Sequence, residues 1–260
     1  MATQRDSRRV RLLALFAVSC VALVVVAALG FATVAPEGRV GRSPAHPPPG
    51  PVALVAFGDS LAAGLCARHG SDFLALIARD LRAARPRSTL ENRARSGARV
   101  ADVRRQILAG PERADAVVVL VGANDVRRGT WPPAFAAAFR GSLDLIHERY
   151  PSAAVVVFGV PDIAVRPALV APPVVPFYST LTRWYDAIER RAASDRAATF
   201  LDFFALSRRP EANARGNVCP DGVHPTDAGH AVLAREAGPV LRAALQYAAP
   251  YGRPPARSNG

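Results

Sequence analysis

Val52-Ala53-Leu54-Val55-Ala56-Phe57-Gly58-Asp59-Ser60-Leu61 places a short apolar run directly before a Gly-Asp-Ser turn. A run that is apolar at successive positions, rather than alternate ones, suits a strand buried on both faces of a parallel sheet. Gly58 lets the backbone turn sharply at the end of that strand. Asp59 and Ser60 then fall at its carboxyl end, where open α/β sheets bind their ligands. Alone, a Gly-Asp-Ser is equally a capped turn, so its meaning depends on partners for Ser60 later in the chain.

Downstream of Ser60, Phe73, Leu74, Ile77 and Leu81 recur at helical spacing, and Pro86 stops that helix. Ser88 to Glu91 is a short strand candidate that leads into Asn92 and a polar turn at Ser96-Gly97. Val100, Val103 and Ile107 predict a second helix. Ala116 to Val121 is another apolar run, and it too empties into a polar turn, Gly122-Ala123-Asn124-Asp125. Phe135, Phe139, Leu143 and Ile146 mark a helix started by Pro132 and Pro133, residues tolerated in a first turn only. A further buried strand is expected at Ala153 to Phe158, a helix around Leu181, Trp184, Tyr185 and Ile188, and a last strand at Thr199 to Phe203. Leu233, Ala237, Val240, Leu241 and Leu245 give the closing helix. Strands alternating with helices form right-handed βαβ units, so the fold class is α/β, with a parallel sheet in a three-layer α/β/α sandwich. The folded domain is read as residues 52–249, with a disordered tail over 250–260.

The chain upstream of Val52 has a different character. Arg5, Arg8, Arg9 and Arg11 precede Leu12 to Val34, 23 residues without a charge. Such a stretch is long enough to cross a bilayer, and arginines before it hold the amino terminus in the cytoplasm. Residues 1–35 are therefore read as a membrane anchor that leaves the rest of the chain outside. The alternative is a signal peptide cleaved near Gly30-Phe31-Ala32, which would release the protein. Cys20 after Val18-Ser19 resembles a lipoprotein processing site only loosely. Residues 36–51 hold six prolines and three glycines and read as an extended spacer.

All 33 basic residues are arginine and the formal net charge is +12. The arginines are scattered and not interleaved with aromatic residues, which argues against a nucleic-acid partner. Half of the residues are hydrophobic, so the chain is globular and not disordered.

Partners for Ser60 come just before the closing helix, in Cys219-Pro220-Asp221-Gly222-Val223-His224-Pro225. An Asp and a His three apart on a Gly- and Pro-containing loop can converge on one point, the carboxylate orienting the imidazole. Such an imidazole can take the proton of Ser60 as it attacks an acyl carbonyl. A backbone N–H at Gly97 and the side-chain amide of Asn124, each following another strand, could receive the resulting oxyanion. Each piece alone is an ordinary polar turn. Four separated turns that each supply one part of the same chemistry are not. His46, His69, His147 and His230 have no such setting and are read as surface or structural.

In their order, FGDSL, the Asn92 to Gly97 turn, VLVGANDV and DGVHP resemble the SGNH (GDSL-type) hydrolases over about Val52 to Ala248. The resemblance implies a flavodoxin-like sheet and a nucleophile at Ser60. It also implies a base pair of Asp221 and His224, and oxyanion donors from the Ser60 N–H, the Gly97 N–H and the Asn124 side chain. No metal and no organic cofactor is implied. The expected activity is a serine esterase or lipase-like acyl hydrolase working through an acyl-enzyme on a small-molecule, lipid or glycan acyl ester. Deacetylation of envelope glycans or acyl transfer to a sugar is the alternative, since an acceptor that outcompetes water uses the same site. An inactive binding module is the rival from another class.

Two finer expectations follow. Pro161 to Phe177 carries five prolines among apolar residues, too proline-rich for a helix, and Leu169 and Val170 within it are expected to line the acyl pocket. Cys66 and Cys219 are the only cysteines outside the apolar segment, one six residues past Ser60, the other two before Asp221. Export permits a disulfide between them, with two buried thiols as the alternative.

Overall fold

The computed structural model of the chain describes residues 50–246. The expectations for residues 1–35, for most of the spacer and for the tail lie outside these residues. Among the described residues no helix is long and apolar enough to cross a membrane.

Five strands, β1 (Ala53–Gly58), β2 (Thr89–Asn92), β3 (Ala116–Leu120), β4 (Ala154–Phe158) and β5 (Thr199–Leu201), form one sheet in the order β2-β1-β3-β4-β5. Every neighbouring pair is parallel, with Phe57 opposite Val119 and Leu120 opposite Phe158. This is the flavodoxin-like order, which reverses direction between β1 and β3 and so opens a crevice at their carboxyl ends.

Helices cover both faces. Helix α1 (Phe73–Ala84) and the closing helix α7 (Asp227–Gln246) lie on one side. There Phe73, Leu74, Ile77, Leu233 and Leu241 bury against Leu54, Ala56, Val118, Leu120, Val156 and Phe158. Helices α2 (Val100–Leu108), α4 (Pro132–Arg149) and α5 (Val175–Asp195) lie on the other. On that side Val103, Ile107, Phe135, Phe139, Leu143 and Tyr185 bury against Val55, Phe57, Val117, Val119, Val155 and Val157. Successive strand residues thus feed opposite cores, which is why the central strands β1, β3 and β4 are apolar at every position. Burying each such side chain is worth about 1.5–3 kcal/mol.

Three local expectations are corrected. Pro161 to Phe177 is not devoid of helix: it holds single 3₁₀ turns at Ile163–Val165 and Pro172–Val174, and α5 begins at Val175. Pro176 falls in the first turn of α5, where a missing N–H costs nothing. The strand expected to run to Phe203 stops at Leu201, because Asp202 accepts the Ala205 N–H at 2.7 Å and caps a short helix α6 (Phe203–Ser207). A further short helix, α3 (Ala123–Arg128), occupies what reads as a polar turn after β3.

Candidate active site

Two glycines set the turns at the crevice. At Gly58, φ is +149° and an added Cβ would stand 1.8 Å from the Leu120 carbonyl oxygen, so a side chain there would break the β1–β3 ladder. At Gly122, φ is +119° and a Cβ would stand 2.6 Å from Val160 Cγ2. The first turn delivers Asp59 and Ser60, the second Ala123 and Asn124.

Past Gly58, the Asp59 N–H still donates to Leu120 O at 3.0 Å, and the Asp59 carboxylate turns back to accept the Leu61 N–H at 3.0 Å. Ser60 is left at the rim, partly exposed. Loop 218–226 comes to it from the far end of the chain. That loop is a tight reversal, with Cys219 N–H donating to His224 O at 2.8 Å and Gly222 N–H to Cys219 O at 2.9 Å. It carries His224 Nε2 to 2.9 Å from Ser60 Oγ and His224 Nδ1 to 2.6 Å from Asp221 Oδ2. Asp221 Oδ1 accepts the N–H groups of Val223 and His224 at 2.9 and 3.0 Å. Slight desolvation pushes the Asp221 carboxyl up, but the ring of His224 and these two amides outweigh it and hold the group below its usual range. It is thus an anion positioned to keep the proton of the imidazole on Nδ1 and leave Nε2 free to accept.

Asn124 donates from Nδ2 to Ala98 O at 3.1 Å, which ties the first turn of α3 to the loop bearing Gly97. A primary amide has two donor hydrogens, and this bond uses one. Asp125 Oδ2 accepts the Val100 N–H at 2.9 Å and fixes the same loop from its other side.

The structure joins Cys66 to Cys219 by a disulfide, with Cα atoms 6.6 Å apart. The bridge connects the segment after Ser60 to the loop of Asp221 and His224. His230, fully buried on α7, accepts the Phe73 N–H at Nδ1 (3.3 Å), lies 3.5 Å from Leu65 O and stacks parallel to Phe73. Burial lowers its pKa, so it serves as a neutral structural group.

The cleft in front of Ser60 and His224 is lined by Leu61, Ile163, Leu169, Phe203, Val223 and Leu233. Leu169 therefore sits where expected. Val170 does not: it is 2% exposed and packs into the core beneath α5. Leu169 and Val170 donate N–H groups to the same Arg166 carbonyl, and in this tight turn Val170 is buried in the core while Leu169 packs against that core and also reaches the cleft. Among the described residues no group of three or more His, Cys, Asp or Glu side chains is arranged to hold a metal ion.

Several supporting residues escape the sequence reading. Gln106 is buried and brackets Gly58, accepting its N–H at 2.7 Å and donating to its carbonyl at 2.9 Å, as a neighbouring strand would. The signal for it was a lone amide on the apolar stripe Val103 and Ile107. Asn92 holds the turn after Ser60 by donating to Ala62 O at 2.7 Å.

Beneath the crevice lie carboxyl groups of which only Asp59 belongs to a motif. Desolvation pushes Asp59 and Asp186 up to about 7 and Glu189 well above its usual value; Asp125 raises Asp59 further, Asp202 raises Asp186, and Asp186, Asp125 and Asp59 raise Glu189. Glu189 is fully buried, and neither of its oxygens finds a hydrogen-bond partner among the described residues. In sequence it precedes Arg190 and Arg191 and reads as part of a solvated face. A carboxyl whose pKa is raised by folding keeps its proton in the native state and loses it in the unfolded one. Its stabilising share is complete below the unfolded pKa and is lost as pH rises through the folded one. Thermal unfolding of the full chain should therefore shift to lower temperature as pH rises from about 5 to about 8. Glu189→Gln should flatten that slope; an identical slope in the variant would show that Glu189 is not the group taking up the proton.

The family model of GDSL-like lipases and acylhydrolases matches residues 56–232. The chain belongs to this family. Its members are serine esterases and lipases, and the chain is accordingly a serine hydrolase of ester bonds, an acyl hydrolase. The GDSL-like hydrolase shares its fold with the psychrotrophic esterase EstA from Pseudoalteromonas sp., at 18% identity and a TM-score of 0.60 over 74% of this chain and 97% of that one. A lipolytic G-D-S-L protein from Veillonella parvula DSM 2008 is similar at 15% identity and a TM-score of 0.59, covering 73% and 98% of the two chains. The acetylxylan esterase Axe2 from Geobacillus stearothermophilus, as a catalytic mutant, matches at 21% identity and 0.53 over 74% and 95%. No curated protein matches the sequence.

Proposed function

We propose that Ser60 is the nucleophile, His224 its general base and Asp221 the group that fixes the imidazole tautomer, and that hydrolysis passes through a Ser60 acyl-enzyme. The observation that carries this reading is the continuous line from Ser60 Oγ through both ring nitrogens of His224 to Asp221, at 2.9 and 2.6 Å. As Oγ attacks the ester carbonyl, its proton passes to Nε2, and the carbonyl electron pair moves onto oxygen. The Ser60 and Gly97 N–H groups and the Asn124 amide receive that oxyanion. Collapse expels the alcohol, which leaves with the proton from Nε2. Water then repeats the sequence on the acyl-enzyme and releases the acid.

The apolar lining of the cleft supports lipid-like acyl esters as the substrate class. The disulfide supports work outside the cytoplasm, since such bonds persist in oxidising compartments. So do the arginines and apolar segment at the amino terminus, whether that segment anchors the enzyme or is cleaved.

A series of esters from acetyl to long-chain tests the substrate reading, run with and without sugar acceptors. We expect kcat/KM to rise with chain length over the first members. Leu169→Ser should raise KM for the longer esters about 5- to 10-fold, the effect of removing one buried apolar side chain, and more than for acetyl. Equal changes at every chain length would contradict an acyl contact at Leu169, and an acetyl preference with transfer to sugar would point to glycan chemistry.

A further inference from the structure

Arg166 lines the same cleft as Ser60 and His224. It is half-buried, and among the described residues it makes no ion pair. Its one recorded side-chain partner is neutral: Nη1 donates to Asn213 Oδ1 at 2.9 Å. Asn213 is itself locked, donating to the carbonyls of Ser207 and Arg209 at 2.7 and 3.0 Å. The guanidinium is thus held in place by an amide that does nothing to its charge.

No acid among the described residues pairs with it directly. Asp162, also on the cleft wall, is fully buried and already bound by Arg208 at 2.6 Å, by the Ser179 hydroxyl and by the Ala164 N–H. Asp221 acts on Arg166 through space and favours its charge, but among the described residues it pairs with the ring of His224 and with two amides and makes no ion pair with the guanidinium. Partial desolvation works against the Arg166 charge. A partly desolvated cation that no acid pairs with directly gains from an anion that does. Arg166 lines a substrate cleft whose walls are mainly apolar beside Asp59, Ser60, Asp162, Ser207 and His224, so the bound substrate is an available source of that anion.

We infer that Arg166 is a preformed anion subsite and that the preferred esters carry a negatively charged oxyacid group, carboxylate or phosphate, close to the scissile bond. A fork of donors held rigidly by Asn213 recognises such a group through paired, charge-assisted hydrogen bonds. The apolar side chains opposite take the hydrocarbon part. The substrate class narrows from acyl esters in general to anionic, amphiphilic ones. This inference rests on the acyl-hydrolase assignment of the cleft and on Ser60 as its nucleophile.

The test compares matched esters on the full chain. Mono-p-nitrophenyl glutarate and p-nitrophenyl pentanoate share chain length and leaving group and differ in a terminal carboxylate. Dihexanoylglycerol 3-phosphate and dihexanoylglycerol make the same comparison for phosphate, and the two pairs show which oxyacid is favoured. We expect the wild type to favour at least one anionic member by about 10-fold or more in kcat/KM, chiefly through KM. Arg166→Gln should bring that ratio close to one, and Arg166→Lys should keep part of it. Asn213→Ala, which frees the guanidinium without removing it, should give an intermediate ratio and guards against a folding defect in the first variant. A wild-type ratio near one for both pairs, or a ratio that survives Arg166→Gln, would overturn the inference. Failure of the assignment beneath it would look different: no ester of either kind would be turned over and no serine-directed phosphonate would label Ser60.

Discussion

Ser60→Ala and His224→Ala are each expected to lower kcat by on the order of 10⁶, while thermal unfolding and circular dichroism stay those of the wild type. The size of the effect follows from geometry. Oγ and Nε2 share one hydrogen bond at 2.9 Å, so losing either partner removes the same event, the transfer of the serine proton during attack. For that reason the double variant should be scarcely slower than either single one. Asp221→Asn should cost up to about 10⁴, because an amide in its place would stabilise the wrong imidazole tautomer. Comparing the three by steady-state kinetics separates a working triad from a polar cluster that merely packs. Independent losses that multiply in the double variant would mean that Ser60 and His224 do not act as a unit.

Asn124→Ala is expected to reduce kcat by about 10²–10³ with little change in KM, the signature of an oxyanion donor used mainly in the transition state. Asn124 also bonds Ala98 O, so part of any effect could come from a displaced Gly97 loop. Asn124→Asp keeps that side chain's size but replaces the amide donor by an acceptor. It should be at least as slow as the alanine variant. An aspartate variant with near wild-type kcat would remove Asn124 from the oxyanion hole.

Much of this arrangement was legible in the sequence because it depends on local chemistry. The strand ending at Gly58 is apolar throughout, so both its burial and its parallel neighbours follow from the residues themselves. Loop 219–225 holds its acid and base three residues apart, so their mutual contact is short-range and readable. The bridge of Cys66 to Cys219 was legible for a related reason, since convergence of Ser60 and His224 draws their neighbours together.

What was hidden depends on tertiary contacts. Val170 and Leu169 are equally apolar, and only their packing around the Arg166 turn buries one wholly in the core and leaves the other lining the cleft as well. Gln106 acquires its role because α2 crosses the end of β1, 48 residues away in sequence. Glu189 precedes two arginines and looks solvated; the packing of α5 under Gly122 buries it. Arg166 is one arginine among 33 basic residues, and its place in the cleft without a direct ion pair appears only once its neighbours are in place.

Labelling with a serine-directed fluorophosphonate, followed by peptide mass mapping of the full chain, tests the central claim most directly. A single adduct on Ser60 is expected, formed at a rate that matches loss of esterase activity and strongly slowed in the His224→Ala variant. An active enzyme that remains unlabelled at Ser60, or that carries its adduct on another serine, would contradict the account.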